Sequence, residues 1–146
     1  MTLYLEDLRP GMRFTSGKLT LDAAQIKLFA ASYDPQPFHL SEEDAQASLF
    51  GTLAASGWHT AALTMKLLVE SLPLADGVIG AGGEISWPRP TRPGDILHTV
   101  SEILEVTPSR SKPDRGMATI RTETLNQNGE PVQIFTAKVV LQRRPV

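Results

Sequence analysis

The chain has 146 residues, 41% of them hydrophobic, which suits one compact domain spanning residues 1–146 with one core and leaves no room for a second. Its formal net charge of −2, with both signs spread along the chain, leaves no basic footprint for nucleic acid and no polybasic patch for a membrane surface. The absence of Cys excludes disulfides, zinc–thiolate sites and thiol nucleophiles, and no apolar run approaches the roughly twenty residues of a membrane span.

The opening residues Met1 to Asp7 lack the basic-then-apolar order of a secretory leader, so a cytoplasmic location is expected. A polar segment to Arg9 leads into a Pro10-Gly11 turn and a short strand at Met12-Arg13-Phe14. Thr20 is placed to cap the first helix, with Asp22 in its first turn, where negative charge suits the helix dipole. Ile26, Phe29, Ala30 and Tyr33 fall at i, i+3, i+4 and i+7 and give that helix one apolar face. It ends at Asp34-Pro35-Gln36-Pro37-Phe38-His39. Pro35 and Pro37 lock their own φ and push Asp34 and Gln36 out of helical conformation, so a carboxylate and an imidazole are held on a stiff connector. Rigid placement of such a pair is what proton transfer needs. The plainer reading has Asp34 closing the helix and His39 packing.

Ser41 is placed to cap a short helix through Ala45 to Ser48, which Gly51 breaks. From Leu53 to Leu72 the pattern predicts a long helix. Trp58, Ala61, Ala62, Met65, Leu68, Val69 and Leu72 form a stripe, while Ala54, Ala55, Leu63 and Leu67 fill much of the remaining circumference, so the helix reads as buried. Pro73 stops it. Gly80-Ala81-Gly82-Gly83 precedes a strand, whereas a dinucleotide fingerprint would open a helix, so close packing or a bulge is expected there and no cofactor. Glu84 to Trp87 alternates as a strand ending at Pro88, a longer strand runs from Ile96 to about Val106, and Met117–Leu125 and Val132–Leu141 form a hairpin turning at Asn128-Gly129. His59 on the helix reads as packed and hydrogen-bonded, His98 as a mid-strand residue facing solvent, and three histidines without ligand spacing point to no metal site. One buried helix followed by antiparallel strands is an α+β pattern, a curved sheet wrapped around the helix.

Three blocks carry a resemblance across nearly the whole chain. Asp34-Pro35-Gln36-Pro37-Phe38-His39, then Phe50-Gly51 with Ala54-Ala55-Ser56-Gly57, then Trp87-Pro88-Arg89-Pro90 with Pro93-Gly94-Asp95, resemble in that order the MaoC-like acyl dehydratases, relatives of the (R)-specific enoyl-CoA hydratases. The resemblance implies a hot-dog fold and a carbon–oxygen lyase acting on an acyl-CoA or acyl-carrier thioester. It implies Asp34 and His39 as the catalytic pair that activates water for addition to an enoyl thioester. It further implies that the Gly57 backbone N–H, at a helix start, meets the thioester oxygen where charge develops. Gln36, Pro37, Phe38, Ser56 and Trp58 are expected around the substrate. Two departures stand out: the family's usual Asn between the pair is Gln36 here, and the His that often precedes the glycine is Ser56. Both bear on the pocket more than on the reaction class. Arg110, Lys112 and Arg115 are cations that could meet the phosphates of CoA or pantetheine, although such a loop cluster is commonly just solvated. A homodimer is expected, because a single curved sheet leaves strand edges open. A hot-dog thioesterase and a non-catalytic acyl-thioester binding domain are the alternative readings.

Overall fold

In the computed structural model, which describes residues 1–146, the elements run β1 (Arg13–Thr15), β2 (Leu19–Thr20), α1 (Ala23–Tyr33), α2 (Pro37–Leu40), α3 (Glu42–Gln46), α4 (Gly57–Ser71), β3 (Ile79–Ser86), β4 (Ile96–Pro108), β5 (Arg115–Leu125) and β6 (Pro131–Gln142). All strand pairs are antiparallel, in the order β1-β4-β5-β6-β3, with β2 also on β4. β4, β5 and β6 alternate inward and outward residues, as strands with one buried face must. In β4 a bulge between Ile103 and Glu105 resets the alternation, so that Leu104 and Glu105 both turn out and Val106 packs on the core. The β5–β6 hairpin closes through Asn126 and Gly129: the Asn126 Oδ1 accepts from the N–H groups of Asn128 and Glu130, and Gly129 takes φ 73°. This antiparallel sheet with its central helix α4 is the hot-dog architecture.

The main core joins Leu68 of α4 and Leu72, which caps that helix, to Ile103, Ile120, Val139 and Leu141 of the sheet. The N-terminal segment, expected to be polar, adds Leu3, Leu5 and Leu8 to that core. Main-chain bonds tie it down, Leu3 N–H to the Pro73 carbonyl and Ala75 N–H to the Leu3 carbonyl, both 2.8 Å. Each leucine there is flanked by polar residues, which hides the pattern from periodicity.

Two helix starts move. The cap of α1 is Asp22, whose carboxylate accepts from Gln25 N–H at 2.8 Å while Gln25 Oε1 accepts from Asp22 N–H at 3.0 Å, and Thr20 lies in β2 instead. On α1, Ile26 and Ala30 are buried but Tyr33 is exposed. The long helix begins at Gly57, not Leu53, because Ala54 and Ala55 give their N–H groups to the carbonyls of Phe38 and Thr91 and stay extended. Within the chain α4 is buried on one side only. Thr60, Thr64, Leu67 and Leu68 face inward, whereas Trp58, Met65 and Val69, read from the sequence as part of the buried stripe, are 60%, 40% and 47% exposed. Threonines can take the inner face because their hydroxyls find partners there, Thr60 with Thr91 and Thr64 with Thr124. The glycine run before Glu84 belongs to β3, with an irregularity between Gly80 and Gly82, and a Cβ on Gly83 would lie 2.5 Å from the Thr136 carbonyl oxygen. No helix is long and apolar enough to cross a membrane.

Candidate active site

The end of α1 builds the first half of the site. Asp34 caps that helix, its N–H donating to the Ala30 carbonyl, and φ −154° with ψ 68° turns the chain out of the helix as the following proline requires. Gln36 N–H folds back on the Asp34 carbonyl at 2.7 Å around Pro35. Pro37 then occupies the first position of α2, where its missing N–H costs nothing, and this single turn of helix carries His39. The connector expected from the two prolines is therefore a tight turn followed by one helical turn, and it brings the side chains of residues 34 and 39 together.

His39 Nε2 lies 3.4 Å from Asp34 Oδ2, and the imidazole is buried. His39 Nδ1 lies 2.6 Å from the Ala54 carbonyl oxygen. A carbonyl only accepts, so Nδ1 carries the hydrogen and in the neutral ring Nε2 is left as an acceptor. Asp34 is braced on both oxygens: Gln36 Nε2 donates to Oδ1 and Ser56 Oγ donates to Oδ2, each at 2.6 Å. Burial by itself would raise the Asp34 carboxyl, but the donors Ser56 and Gln36 and the adjacent His39 outweigh it and hold the group below its ordinary value. The donors Ser56 and Gln36 thus keep the carboxylate ionised, and His39 adds to this when its ring is protonated; in the neutral ring Nε2 offers a lone pair beside it.

The second half is the start of α4. Ser56 is its cap, fully buried, and its Oγ accepts from Trp58 N–H at 3.2 Å while donating to Asp34. The N–H groups of His59 and Thr60 return to the Ser56 carbonyl, while the Gly57 N–H, the first of the helix, has no acceptor in the chain. The reason for glycine at this position is steric: a Cβ would lie 2.7 to 2.9 Å from three atoms of the Trp87 indole. Trp87 is held in turn by its Nε1–H donating to the Oε1 of buried Gln133 at 3.0 Å, and it meets Trp58 edge-on at 5.3 Å between ring centroids.

Between these halves lies a cavity of about 400 Å³ whose walls include Asp34, His39, Gly57, Trp58, Trp87 and Arg89. Of the other residues expected near a substrate, Gln36 and Phe38 also line it, Pro37 is exposed on α2 away from its walls, and Ser56 lies behind Asp34. Phe50, Thr60, Thr91 and the Trp87 to Pro90 run join the lining without having been singled out for it. The last of these was legible only as a block of the family pattern. Arg89, the one cation on the wall, pairs with Glu130 at 3.1 Å. Arg110, Lys112 and Arg115 lie instead around the β4–β5 turn, at the far end of a 13-residue strand, on the order of 40 Å of chain from Thr91. There Arg115 pairs with Asp114. His59 stacks flat on Phe29 at 4.4 Å, but its Nδ1 is buried without a partner, so it is packed and not hydrogen-bonded through that atom, and burial pushes its pKa down. His98 is half-exposed in β4. A second cavity of about 450 Å³ on the outer sheet face carries Glu105, Arg115 and Lys138 but no imidazole.

A carboxylate, an imidazole acceptor and a free helix-terminal N–H, carried by residues that line one cavity, are groups that can take a proton from water and stabilise an oxyanion. Residues 8–125 match the MaoC like domain family. The crystal structure of a MaoC-like dehydratase from Rhodospirillum rubrum superposes with a TM-score of 0.97 at 62% identity, covering 99% of both chains. The uncharacterized protein YdeM of Bacillus subtilis is 32% identical over 140 residues, 94% of this chain and 96% of its own. A 3-hydroxybutyryl-CoA dehydratase of Methylorubrum extorquens is 32% identical over 110 residues, 75% of this chain and 69% of its own.

Proposed function

The chain belongs to the MaoC-like dehydratase family, and from that premise we propose that it catalyses the reversible hydration of a 2-enoyl-CoA to a 3-hydroxyacyl-CoA. The observation that carries this reading is the pair of acceptors, His39 Nε2 and Asp34 Oδ2, 3.4 Å apart beside the cavity. A water molecule within hydrogen-bond distance of both can give one hydrogen to each, which directs an oxygen lone pair toward a substrate. That oxygen bonds to C3 as one proton passes to the pair and the C2=C3 electrons move into the thioester as an enolate. The Gly57 N–H donates to the enolate oxygen, and the dipole of α4 favours the charge. Return of the proton to C2 completes the addition of H and OH, and dehydration is the same path reversed. Ser56 and Gln36 keep Asp34 ionised and correctly turned throughout.

The active species in this reading is a homodimer. β3 pairs with β6 on one side only, its other edge lying open along a glycine-rich run, and beside it the exposed Trp58, Met65 and Val69 of α4 form an apolar stripe. An open edge and an apolar stripe on one face are what a second copy would cover. Incubation of the purified protein with crotonyl-CoA tests the reaction class: hydration removes the conjugated absorbance, hydrolysis of the thioester frees a thiol, and simple binding does neither. Loss of absorbance without thiol release is expected. Thiol release, or no turnover at all, would overturn the assignment.

A further inference from the structure

The segment Phe50–Leu53 has no regular structure, yet several of its polar groups converge on one side chain. Arg92 Nη2 donates to the Phe50 carbonyl at 2.8 Å, and Nη1 donates to the Thr52 carbonyl at 2.8 Å, to Thr52 Oγ1 at 2.7 Å and more distantly to the Leu53 carbonyl at 3.5 Å. No carboxylate pairs with this guanidinium. The nearby acid, Asp95, uses Oδ2 for the Arg92 main-chain N–H at 2.8 Å and Oδ1 for Gln127 Nε2 at 3.0 Å. Asp95 is buried, and its own carbonyl and the Gly94 N–H are bonded to Leu21. The base from which Arg92 reaches out is therefore fixed.

The next two residues connect this clamp to the site. Ala54 accepts His39 Nδ1–H on its carbonyl, and Ala55 donates its N–H to the Thr91 carbonyl at 2.9 Å. The residue holding the imidazole is thus anchored on both sides to the dipeptide Thr91-Arg92, by the guanidinium before it and by a main-chain bond after it. We propose that Arg92 is a positioning residue for His39: by fixing Phe50–Leu53 it fixes the Ala54 carbonyl, and with it the tautomer and direction of the imidazole. Arg92 is not among the residues lining the cavity, so this role is separate from substrate contact. Arg suits the task because its planar fork reaches several acceptors at once, which the point charge of Lys cannot. The consequence for catalysis rests on the hydration reading above. The consequence for the imidazole does not.

The test compares wild type with Arg92→Ala, Arg92→Lys and Arg92→Gln, the last kept as the milder variant should the first fail to fold. Two readings are taken: kcat and KM with crotonyl-CoA, and ¹⁵N–¹H imidazole spectra with His39 assigned by a His39→Asn control. Wild type should show His39 as the Nδ1–H tautomer. In Arg92→Ala the tautomer should become mixed and kcat should fall by about 10²-fold, the scale of an ångström-sized misplacement of a catalytic group, with KM within about threefold. Millimolar guanidinium should restore part of both, whereas Arg92→Lys should remain impaired. A folded variant that keeps the wild-type tautomer overturns the proposal. So does a loss of kcat that guanidinium does not relieve, since that would make Arg92 merely structural. If wild type does not hydrate crotonyl-CoA, the hydration reading fails, while the imidazole spectra still decide on the clamp.

Discussion

Replacing Gly57 by Ala tests whether the glycine serves packing or conformation. A methyl there would sit 2.7, 2.9 and 2.9 Å from the Cε2, Cδ2 and Cζ2 atoms of Trp87, closer than real Cβ atoms approach, so the indole must move. It cannot move freely, because its Nε1–H is bonded to Gln133 Oε1 at 3.0 Å and Gln133 is buried. Overpacking of this kind costs about 1–3 kcal/mol, and an amide oxygen left unpaired in the interior costs a similar amount. The indole can keep one contact at the expense of the other, so we expect Gly57→Ala to destabilise by about 2–3 kcal/mol, within those ranges. Urea unfolding of wild type, Gly57→Ala, Trp87→Ala and the double variant forms a cycle. In the Trp87→Ala background the clash is gone, and Gly57→Ala should there be neutral or slightly stabilising, since Ala is the better helix former. An equal cost of Gly57→Ala in both backgrounds would refute the packing account. The same variants separate the glycine's two roles, because the double variant keeps the Gly57 N–H position without the collision.

Ser56→Ala removes one of the two donors on Asp34, so the Asp34 carboxyl should titrate at higher pH than in wild type by ¹³C NMR, and an unchanged midpoint would contradict the bracing role. The sign for stability follows: Asp34 is depressed in the folded chain, so its contribution is present above the unfolded carboxylate value of about 4 and is lost as pH falls through the lower folded value. That acid-dependent portion should shrink in Ser56→Ala, as urea unfolding across that pH range would show. Light scattering at micromolar concentration should give twice the 15.9 kDa chain mass, and Met65→Glu with Val69→Glu should return it to one. A monomer that is fully active would remove the dimer from the account.

Much of this was legible in the residues, for reasons that differ between elements. The prolines at 35 and 37 announce the turn that is found there, and Asn128-Gly129 marks the hairpin because the turn needs a residue at positive φ. The inner face of α4 was not legible: periodicity counts Thr60 and Thr64 as polar and Trp58 and Met65 as apolar, but the hydroxyls are paired across the interface and the large apolar side chains are left open. The Asp22 cap is hidden because Thr20, two residues earlier, is also a capping type, and only the pairing of β2 with β4 excludes it. Nor could spacing along the chain bring Trp87 onto Gly57 or Arg92 onto Phe50, since both contacts depend on how the sheet returns past the helix start.

The two acceptors that flank the proposed water carry the mechanism most directly. Asp34→Asn keeps size and shape while removing basicity, and His39→Ala removes the imidazole. The measurement is kcat for each, and for the double variant, at saturating enoyl-CoA. Each single change should lower kcat by about 10²–10⁴-fold, with the double little worse than the poorer single, because groups that share one step are non-additive. Wild-type rates in both single variants would contradict it and leave the turn at residues 34–39 as architecture alone.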